Sequence, residues 1–366
     1  MSTLTSRNMT LFRRSRLPLV FPLTLLLIVL LAGGCASANG SAQGTPTPTA
    51  SDGPAPTIVF TGHSGPVIAL AWSPDGKRLA SSGNDNTVQV IDAATGKLVW
   101  KYDAPNANAD AHYKDYIFAI AWSPDGKSLA EGNSSGVVRI LDAATGQVKT
   151  MLNGAPGGIE GIAWSPDGKR LAWGTVVNAI QVWDVASQRM LFAHTSQTDA
   201  IEQIAWSPDG TRIASASHDG SVQVWDASSG KTLVTYTGNG APVWSVAWSP
   251  DGKRIVSGTG GAGTYYPVTS GNSLRVWDAT SGKTLLSYTG QGDTQTYAVA
   301  WSPDGKHIIS GGDTKEVYLW DATTGATQFV YRGHTGVIFG LAWSPDGTEF
   351  ASASVDGSVR IWRYQG

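Results

Sequence analysis

Residues 67–92 read VIALAWSPDGKRLASSGNDNTVQVID, and the pentapeptide WSPDG inside this stretch decides the fold. The pentapeptide occurs seven times, starting at Trp72, Trp122, Trp164, Trp206, Trp248, Trp301 and Trp343. The successive spacings are 50, 42, 42, 42, 53 and 42 residues. A period of this length indicates that one supersecondary unit is repeated along the chain.

Each unit contains four short apolar runs separated by turns, as in VIALAW (67–72), RLASS (78–82), TVQVID (87–92) and KLVWKY (97–102). This pattern predicts four antiparallel strands and no helix. In Ser-Pro-Asp-Gly, proline sets the φ of a type I turn, aspartate caps the turn, and glycine takes the left-handed position. Because a sheet that is apolar on both faces is not stable alone, we expect the units to stack around an axis until the ring closes. The sequence therefore predicts an all-β, seven-bladed β-propeller of four-stranded antiparallel blades.

A second landmark follows each pentapeptide and reads Trp-Asp in four units, at Trp183, Trp225, Trp277 and Trp320. Together with the Gly-His pairs ending at His63 and His334 and the period near 42, this landmark resembles the WD-repeat β-propeller family over residues 57–364. The resemblance implies that a mixed blade closes the ring. In that arrangement TIVFT (57–61) forms the outermost strand of the blade whose inner three strands are 337–343, 349–353 and 358–363.

The resemblance also implies a structural hydrogen-bond relay of His, Ser, Asp and Trp within a blade. The matching residues are His334, Ser352, Asp356 and Trp362 in the seventh unit, His63, Ser81 and Asp85 in the first, and His194, Ser215, Asp219 and Trp225 in the fourth. We interpret these sets as buried, paired networks rather than Ser-His-Asp catalytic triads, because nothing in the sequence indicates an activated nucleophile that faces a cleft.

The repeats differ in length on one side of the predicted ring, which marks that side as the working face. Two insertions lie there, at 103–115 and at 258–271, and the second carries Tyr265 and Tyr266. Four residues before each WSPDG tryptophan, at the entrance of the innermost strand, the chain has Ile68, Phe118, Glu160, Glu202, Trp244, Tyr297 and Phe339. In the WD-repeat family this end is the usual partner-binding surface, so the resemblance implies that these residues contact a partner. The alternative is that the aromatic residues merely pack between blades.

Composition limits the classes of function. The chain has 26 basic and 28 acidic residues, a net charge of -2, and one cysteine, which argues against a polybasic nucleic-acid binder, a disulfide framework and a cysteine-based zinc site. We expect no metal or cofactor, and a propeller that is monomeric. The favoured function is a non-catalytic scaffold for a protein or peptide. The alternatives are a hydrolase or lyase that uses Glu160 and Glu202 as an acid/base pair, and a glycan-binding module.

The N-terminal segment has the pattern of an export signal. Four arginines between Arg7 and Arg16 precede an apolar run that ends in the small residues before Cys35, so residues 1–34 are predicted to be a signal peptide. LAGGC (31–35) resembles the modification site of bacterial lipoproteins, although Ala32 stands where that family usually has leucine. This predicts a lipid on Cys35, a solvated tether over 35–56 and a location in the cell envelope outside the cytoplasm. The alternatives are cleavage after Ala38, which gives a secreted protein, and an uncleaved membrane anchor.

Overall fold

The structure, a computed structural model, describes residues 50–105, 115–260, 274–292 and 294–365. All regular secondary structure within these ranges is β-strand. The strands in chain order are β1 (Ser51–Asp52), β2 (Ile58–Phe60), β3 (Val67–Trp72), β4 (Arg78–Gly83), β5 (Thr87–Asp92), β6 (Leu98–Asp103), β7 (Ile117–Trp122), β8 (Ser128–Asn133), β9 (Val138–Asp142), β10 (Val148–Leu152), β11 (Ile159–Trp164), β12 (Arg170–Thr175), β13 (Ile180–Asp184), β14 (Arg189–His194), β15 (Ile201–Trp206), β16 (Arg212–Ser217), β17 (Val222–Asp226), β18 (Thr232–Tyr236), β19 (Val243–Trp248), β20 (Arg254–Thr259), β21 (Leu274–Asp278), β22 (Thr284–Tyr288), β23 (Thr296–Trp301), β24 (His307–Gly312), β25 (Val317–Asp321), β26 (Thr327–Tyr331), β27 (Ile338–Trp343), β28 (Glu349–Ser354) and β29 (Val359–Arg363). The predicted signal peptide and Cys35 lie outside the described residues.

The strands form seven sheets, each with one innermost and one outermost strand. Blades one to five are β3–β6, β7–β10, β11–β14, β15–β18 and β19–β22, in which neighbours along the chain pair antiparallel. Blade six contains β23–β26, and blade seven contains β27–β29. The innermost strands contact one another in sequence, and β27 contacts β3, so the ring is closed. The prediction of an all-β, seven-bladed propeller is confirmed.

The fourth strand of blade seven comes from the opposite end of the propeller sequence. β2 pairs antiparallel with β29, with Ile58 opposite Ile361 and Phe60 opposite Val359. The Thr57 backbone N–H donates to the Ile361 carbonyl oxygen at 2.8 Å, which extends the pairing by one residue. The prediction that 57–61 closes the ring is therefore confirmed.

The segment before β2 adds a fifth strand to blade six. Ser51 and Asp52 of β1 run parallel to β26, and the Gly53 N–H donates to the Val330 carbonyl at 2.9 Å. The Asp52 carboxylate also pairs with the Arg332 guanidinium. The prediction of a solvated tether over 35–56 is thus wrong for residues 51–53, because their backbone groups complete hydrogen bonds on a sheet edge.

The WSPDG turn connects the innermost strand of each blade to the next strand. In blade one, the Gly76 N–H donates to the Ser73 carbonyl at 2.9 Å, and Gly76 has a φ of 69°. The Ser73 hydroxyl donates to Asp75 Oδ1 at 2.5 Å and accepts from the Arg78 N–H at 2.9 Å. The turn therefore satisfies its own polar groups, which explains the repetition of Ser, Asp and Gly without any catalytic or metal-binding role.

Five of the seven WSPDG tryptophans are hydrogen-bonded to the blade before their own. The Trp72 indole N–H donates to the Ala342 carbonyl at 3.1 Å, which joins blade one to blade seven. The equivalent bonds are Trp122 to Ala71, Trp164 to Ala121, Trp206 to Ala163 and Trp248 to Ala205. The same backbone-directed bond thus recurs at five blade boundaries, including the one where the ring closes.

An arginine at the start of the second strand covers the tryptophan of the next blade. The guanidinium carbon lies 4.7 to 4.8 Å from the ring centroid in the pairs Arg78–Trp122, Arg170–Trp206, Arg212–Trp248 and Arg254–Trp301. Blade two has Ser128 at this position, and Trp164 of blade three is half-buried whereas the other six WSPDG tryptophans are at most 8% exposed. The boundary between blades two and three therefore lacks a cation–π contact that four other boundaries have.

Candidate functional site

The innermost strand of every blade carries a β-bulge near its start. In β19, Val243 pairs with Thr259 and Ser245 with Gly258, so that Trp244 is an extra residue without a ladder partner. The same shift occurs in all seven innermost strands and leaves Ile68, Phe118, Glu160, Glu202, Trp244, Tyr297 and Phe339 unpaired. We call these seven residues the bulge ring. A bulge re-aims its side chain out of the sheet, which gives the seven positions predicted from the sequence a common structural origin.

Three aromatic members of the bulge ring form a continuous row of contacting rings over blades five to seven, an edge-to-face pair followed by a stacked pair, and we call this row the aromatic stack. The ring centroids of Trp244 and Tyr297 are 5.0 Å apart with the planes at 88°, and those of Tyr297 and Phe339 are 4.8 Å apart at 29°. All three residues are half-buried. Part of each residue remains exposed to solvent. Because each ring is already held by its neighbours, a molecule that contacts the rings would cause little further loss of side-chain entropy.

Polar contacts hold the aromatic stack in place. The Trp244 indole N–H donates to the Gly260 carbonyl at 3.2 Å, and a Cβ atom on Gly260 would lie only 2.8 Å from Trp244 Cδ1. The Tyr297 hydroxyl donates to Gln295 Oε1. Burial, together with the charge of Asp313, raises the pKa of Tyr297, so this hydroxyl stays protonated. Gly260 is the third residue of the second predicted insertion (258–271), so the start of this insertion lies against the bulge ring. Tyr265 and Tyr266 lie outside the described residues.

The two acidic members lie side by side on blades three and four. A Cβ atom on Gly161, the residue after Glu160, would lie 3.0 Å from the Glu202 carbonyl oxygen, so the two bulges are in close contact. Burial raises the pKa of Glu160, and burial with the charges of Glu160 and Asp199 raises the pKa of Glu202 well above its usual range. Both carboxyls are therefore harder to ionise than an exposed glutamate.

His218 connects the acidic pair to the aromatic stack. Its Nε2 lies 3.1 Å from Glu202 Oε1, yet this atom is shielded from solvent and makes no hydrogen bond among the described residues. Its ring centroid lies 4.5 Å from that of Trp244. Burial lowers the pKa of His218 although Asp199 opposes the shift, so the imidazole is neutral at pH 7. His218 is a site residue that the sequence pattern did not indicate.

The remaining two members continue the ring with apolar side chains. Phe118 contacts Tyr116, with ring centroids 6.0 Å apart, and both residues are half-buried. Ile68 follows Phe339 around the ring, since a Cβ atom on Gly340 would lie 3.2 Å from the Ile68 carbonyl oxygen. The bulge ring is thus apolar over five blades and acidic over two adjacent blades.

The four relay residues predicted for blade seven lie together inside that blade. The Trp362 indole N–H donates to Ser352 Oγ at 2.8 Å, Ser352 Oγ lies 2.7 Å from His334 Nε2, and His334 Nδ1 lies 2.9 Å from Asp356 Oδ2. Ser352 is fully buried. Burial lowers the pKa of His334 despite the Asp356 carboxylate, so a neutral imidazole accepts from Ser352 and donates to Asp356. The set resembles a triad in residue type, but its hydroxyl is enclosed.

Blade one repeats this network without the tryptophan. His63 Nε2 lies 2.8 Å from Ser81 Oγ, and His63 Nδ1 lies 3.0 Å from Asp85 Oδ2. Burial acts to raise the pKa of Asp85, but the hydrogen bond and charge of His63 and the hydrogen bond from Thr87 outweigh it and lower the pKa to about 2.

The relay predicted for blade four is wrong in one member. His194 lies at the end of β14, where its ring stacks on Trp225 with centroids 5.5 Å apart, and it does not reach Ser215. Gln197 takes the predicted place, because Ser215 Oγ donates to Gln197 Oε1 at 2.6 Å. Asp219 accepts from the Thr198 backbone N–H and from Ser221.

An amide also replaces histidine in blade five. Ser257 Oγ donates to Asn239 Oδ1 at 2.9 Å and accepts from the Trp277 indole N–H at 3.2 Å. In blade two the serine position holds Glu131, which is fully buried and pairs with Arg139 at 2.7 Å. The two residues are 18 positions apart in both His–Ser pairs and in both amide–Ser pairs. This spacing, read from the sequence, would have identified Gln197 and Asn239 as the residues that replace histidine.

The described residues hold no group of three or more His, Cys, Asp or Glu side chains placed to bind a metal ion. No helix able to cross a membrane occurs in the part of the chain that the structure describes.

Comparison with known proteins gives matches along most of the propeller. The profile of the WD domain, G-beta repeat family matches residues 54–92, 186–226, 230–278, 282–321 and 325–363, which together exceed half of the chain. The profile of the anaphase-promoting complex subunit 4 WD40 domain matches residues 99–157.

Curated relatives match over short segments. The chain is 32% identical over 100 residues to cilia- and flagella-associated protein 52 of Chlamydomonas reinhardtii, a match that covers 27% of this chain and 16% of that protein. It is 32% identical over 95 residues to serine-threonine kinase receptor-associated protein of Dictyostelium discoideum, covering 26% of this chain and 32% of the relative. It is 28% identical over 92 residues to periodic tryptophan protein 2 of Arabidopsis thaliana, covering 25% and 10%. The chain therefore spans about a third or less of the length of these relatives.

Proposed function

Because the chain belongs to the WD40-repeat family, we propose that it is a non-catalytic scaffold that binds a protein or peptide partner on the bulge ring. One observation carries the proposal: all seven blades place a half-buried side chain without a ladder partner at the same bulge, and three of these are aromatic rings in contact with one another. Rigid aromatic groups of this kind dominate the energy of protein interfaces.

The enclosed relays support a role without turnover. The Ser352 and Ser81 hydroxyls are hydrogen-bonded inside their blades, and both serines are buried. Two of the relatives are named as associated proteins, a receptor-associated and a cilia- and flagella-associated protein, which is consistent with a scaffold.

We further propose that the propeller acts outside the cytoplasm and is anchored by a lipid on Cys35. The basic, apolar and small-residue order of the first 35 residues supports this location. Labelling with palmitate tests the anchor: the label should be present in the intact protein and absent in Cys35→Ser, and label that persists in the variant would exclude lipidation at this residue.

A capture experiment tests the scaffold. Immobilised propeller should retain specific proteins from a cell-envelope extract, as measured by quantitative mass spectrometry, and Trp244→Ala/Tyr297→Ala should lose them. The matched control is Leu191→Ala/Leu285→Ala, which removes two outer-strand side chains that are each 51% exposed. If the double aromatic variant loses thermal stability while its capture is unchanged, the aromatic residues serve packing between blades and the proposal fails.

A further inference from the structure

Resting on the proposed function, we infer that the bulge ring recognises one basic side chain, lysine or arginine, which the partner inserts between Glu160, Glu202 and the edge of the aromatic stack. The remaining contacts of such a partner segment would be apolar.

The two bulge-ring carboxyls lack a lysine or arginine partner within the described residues. Two other carboxylates with limited exposure have cationic partners, because Glu131 has Arg139 at 2.7 Å and Glu316 has Arg332 at 2.8 Å. Among the described residues, no lysine or arginine lies within ion-pair distance of Glu160 or Glu202. The neighbouring groups are Asp199, another acid, and His218, whose imidazole is neutral. A cation that enters this site therefore meets acceptors that the protein itself leaves without a positive charge.

The aromatic stack lies directly beside the acidic pair. Trp244 is the next member of the bulge ring after Glu202, and His218 lies between them, 3.1 Å from the Glu202 carboxylate and 4.5 Å from the Trp244 ring centroid. A guanidinium or ammonium group held by Glu202 is therefore beside a tryptophan, the aromatic ring that attracts cations most strongly. Trp244, Tyr297 and Phe339 then provide contact for apolar residues that flank the basic one.

The two acidic members of the bulge ring differ in character from the other five. Five of the seven positions are apolar, and an apolar residue at the other two would pack in the same way. Two adjacent carboxylates in a half-buried setting destabilise the folded chain, because burial and mutual repulsion oppose their ionisation. Charge complementarity thus favours a segment with one basic residue among apolar ones over an acidic or phosphorylated segment.

Selection from a random peptide library tests the inference without a known partner. A phage library of random 12-residue peptides is selected on the intact propeller, on Trp244→Ala and on Glu160→Gln/Glu202→Gln. Peptides that depend on Trp244 should be enriched in one Lys or Arg flanked by aromatic or aliphatic residues, and this enrichment should vanish on the double glutamine variant. The control is Glu349→Gln, which makes the same chemical change at a half-buried carboxyl on the second strand of blade seven.

Fluorescence titration of the best peptide gives the size of the effect. Replacing its basic residue by methionine should weaken binding about 10-fold for the intact protein and for Glu349→Gln, since a charged hydrogen bond contributes about that much. The two peptides should bind the double glutamine variant within about twofold of each other, as expected once both charges are removed. Binding of the basic peptide to the intact protein should also strengthen from pH 6 to pH 8, because burial raises the pKa of Glu160 to about 7 and this carboxyl must ionise to hold the cation.

The outcomes separate the two proposals. Trp244-dependent peptides without enrichment of basic residues, or with enrichment of acidic ones, would overturn this inference and leave the proposed function intact. A library that yields no Trp244-dependent peptide on the intact protein would count against both.

Discussion

Replacing Ser352 by alanine tests whether the relay stabilises the propeller through its hydrogen bonds. Ser352 Oγ is bonded to the Trp362 indole N–H at 2.8 Å and to His334 Nε2 at 2.7 Å inside a fully buried environment. Ser352→Ala leaves one donor and one acceptor without partners. Each orphaned group costs about 1 to 3 kcal/mol, so we expect the free energy of unfolding to fall by about 2 to 5 kcal/mol.

Two other blades provide internal controls at the same position. Ser310 in blade six is fully buried, but its hydroxyl and the Trp320 indole N–H have no partners among the described residues. Ser310→Ala should therefore be neutral or stabilise by up to about 1 kcal/mol, because an unpaired hydroxyl is removed. Ser215→Ala should cost about 1 to 2 kcal/mol, because Ser215 bonds to Gln197 while the Trp225 indole N–H is unpaired.

Guanidinium unfolding followed by tryptophan fluorescence measures the three variants, with the m-value checked for two-state behaviour. Hydrogen exchange of the amides in β24 and β28 gives a local measure if the ring unfolds in steps. Equal losses for Ser352→Ala and Ser310→Ala would show that the position matters for packing or volume and would refute the hydrogen-bond explanation.

Three further predictions follow from the fold. Ser128→Arg should place a cation over Trp164 and raise the unfolding free energy by about 0.5 to 1 kcal/mol, and an equal gain in a Trp164→Leu background would contradict this. Deleting 57–61 should lower the thermal midpoint of the entire propeller, because β2 is the outer strand of blade seven, and a truncated protein that melts like the intact one would refute that role. Asp85→Asn should lower the free energy of unfolding by about 2 kcal/mol at neutral pH, because the pKa of Asp85 is about 2 in the folded protein and 3.8 ordinarily. In a pH series, the denaturant midpoints of this variant and of the intact protein should converge as the pH falls from 3.8 to 2. A difference that does not change with pH would contradict the assignment.

The positions of the bulge ring could be predicted because they are counted from a rigid landmark. Trp244 and Glu160 each lie four residues before a WSPDG tryptophan, and no insertion falls between the bulge and the turn. Counting does not give the contacts across blades: Arg212 covers Trp248 only because neighbouring sheets are packed with a particular separation and twist. The same limit applies to His218, which reaches Glu202 from the loop after the second strand of its blade.

For the relay of blade four, spacing along the chain predicts the partner of Ser215 better than residue type does. His194 matches the relay by residue type alone and lies 21 residues before Ser215. Gln197 lies 18 residues before Ser215, which is the separation found for His334 and Ser352. Neither residue type nor spacing predicts the pairing of β1, because Ser51 and Asp52 join the sheet through backbone groups and both side chains are exposed. Backbone pairing without a buried face has no hydrophobic pattern to read.

The union of β2 with β29 brings residues 57 and 361 within one hydrogen bond of each other, so the start and the finish of the propeller are neighbours in space. A peptide linker that joins the start of β2 to the end of β29, combined with a cut in any one of the seven WSPDG turns, would give a rearranged chain that retains the four strands of every blade. The closed ring therefore does not depend on which blade is synthesised first.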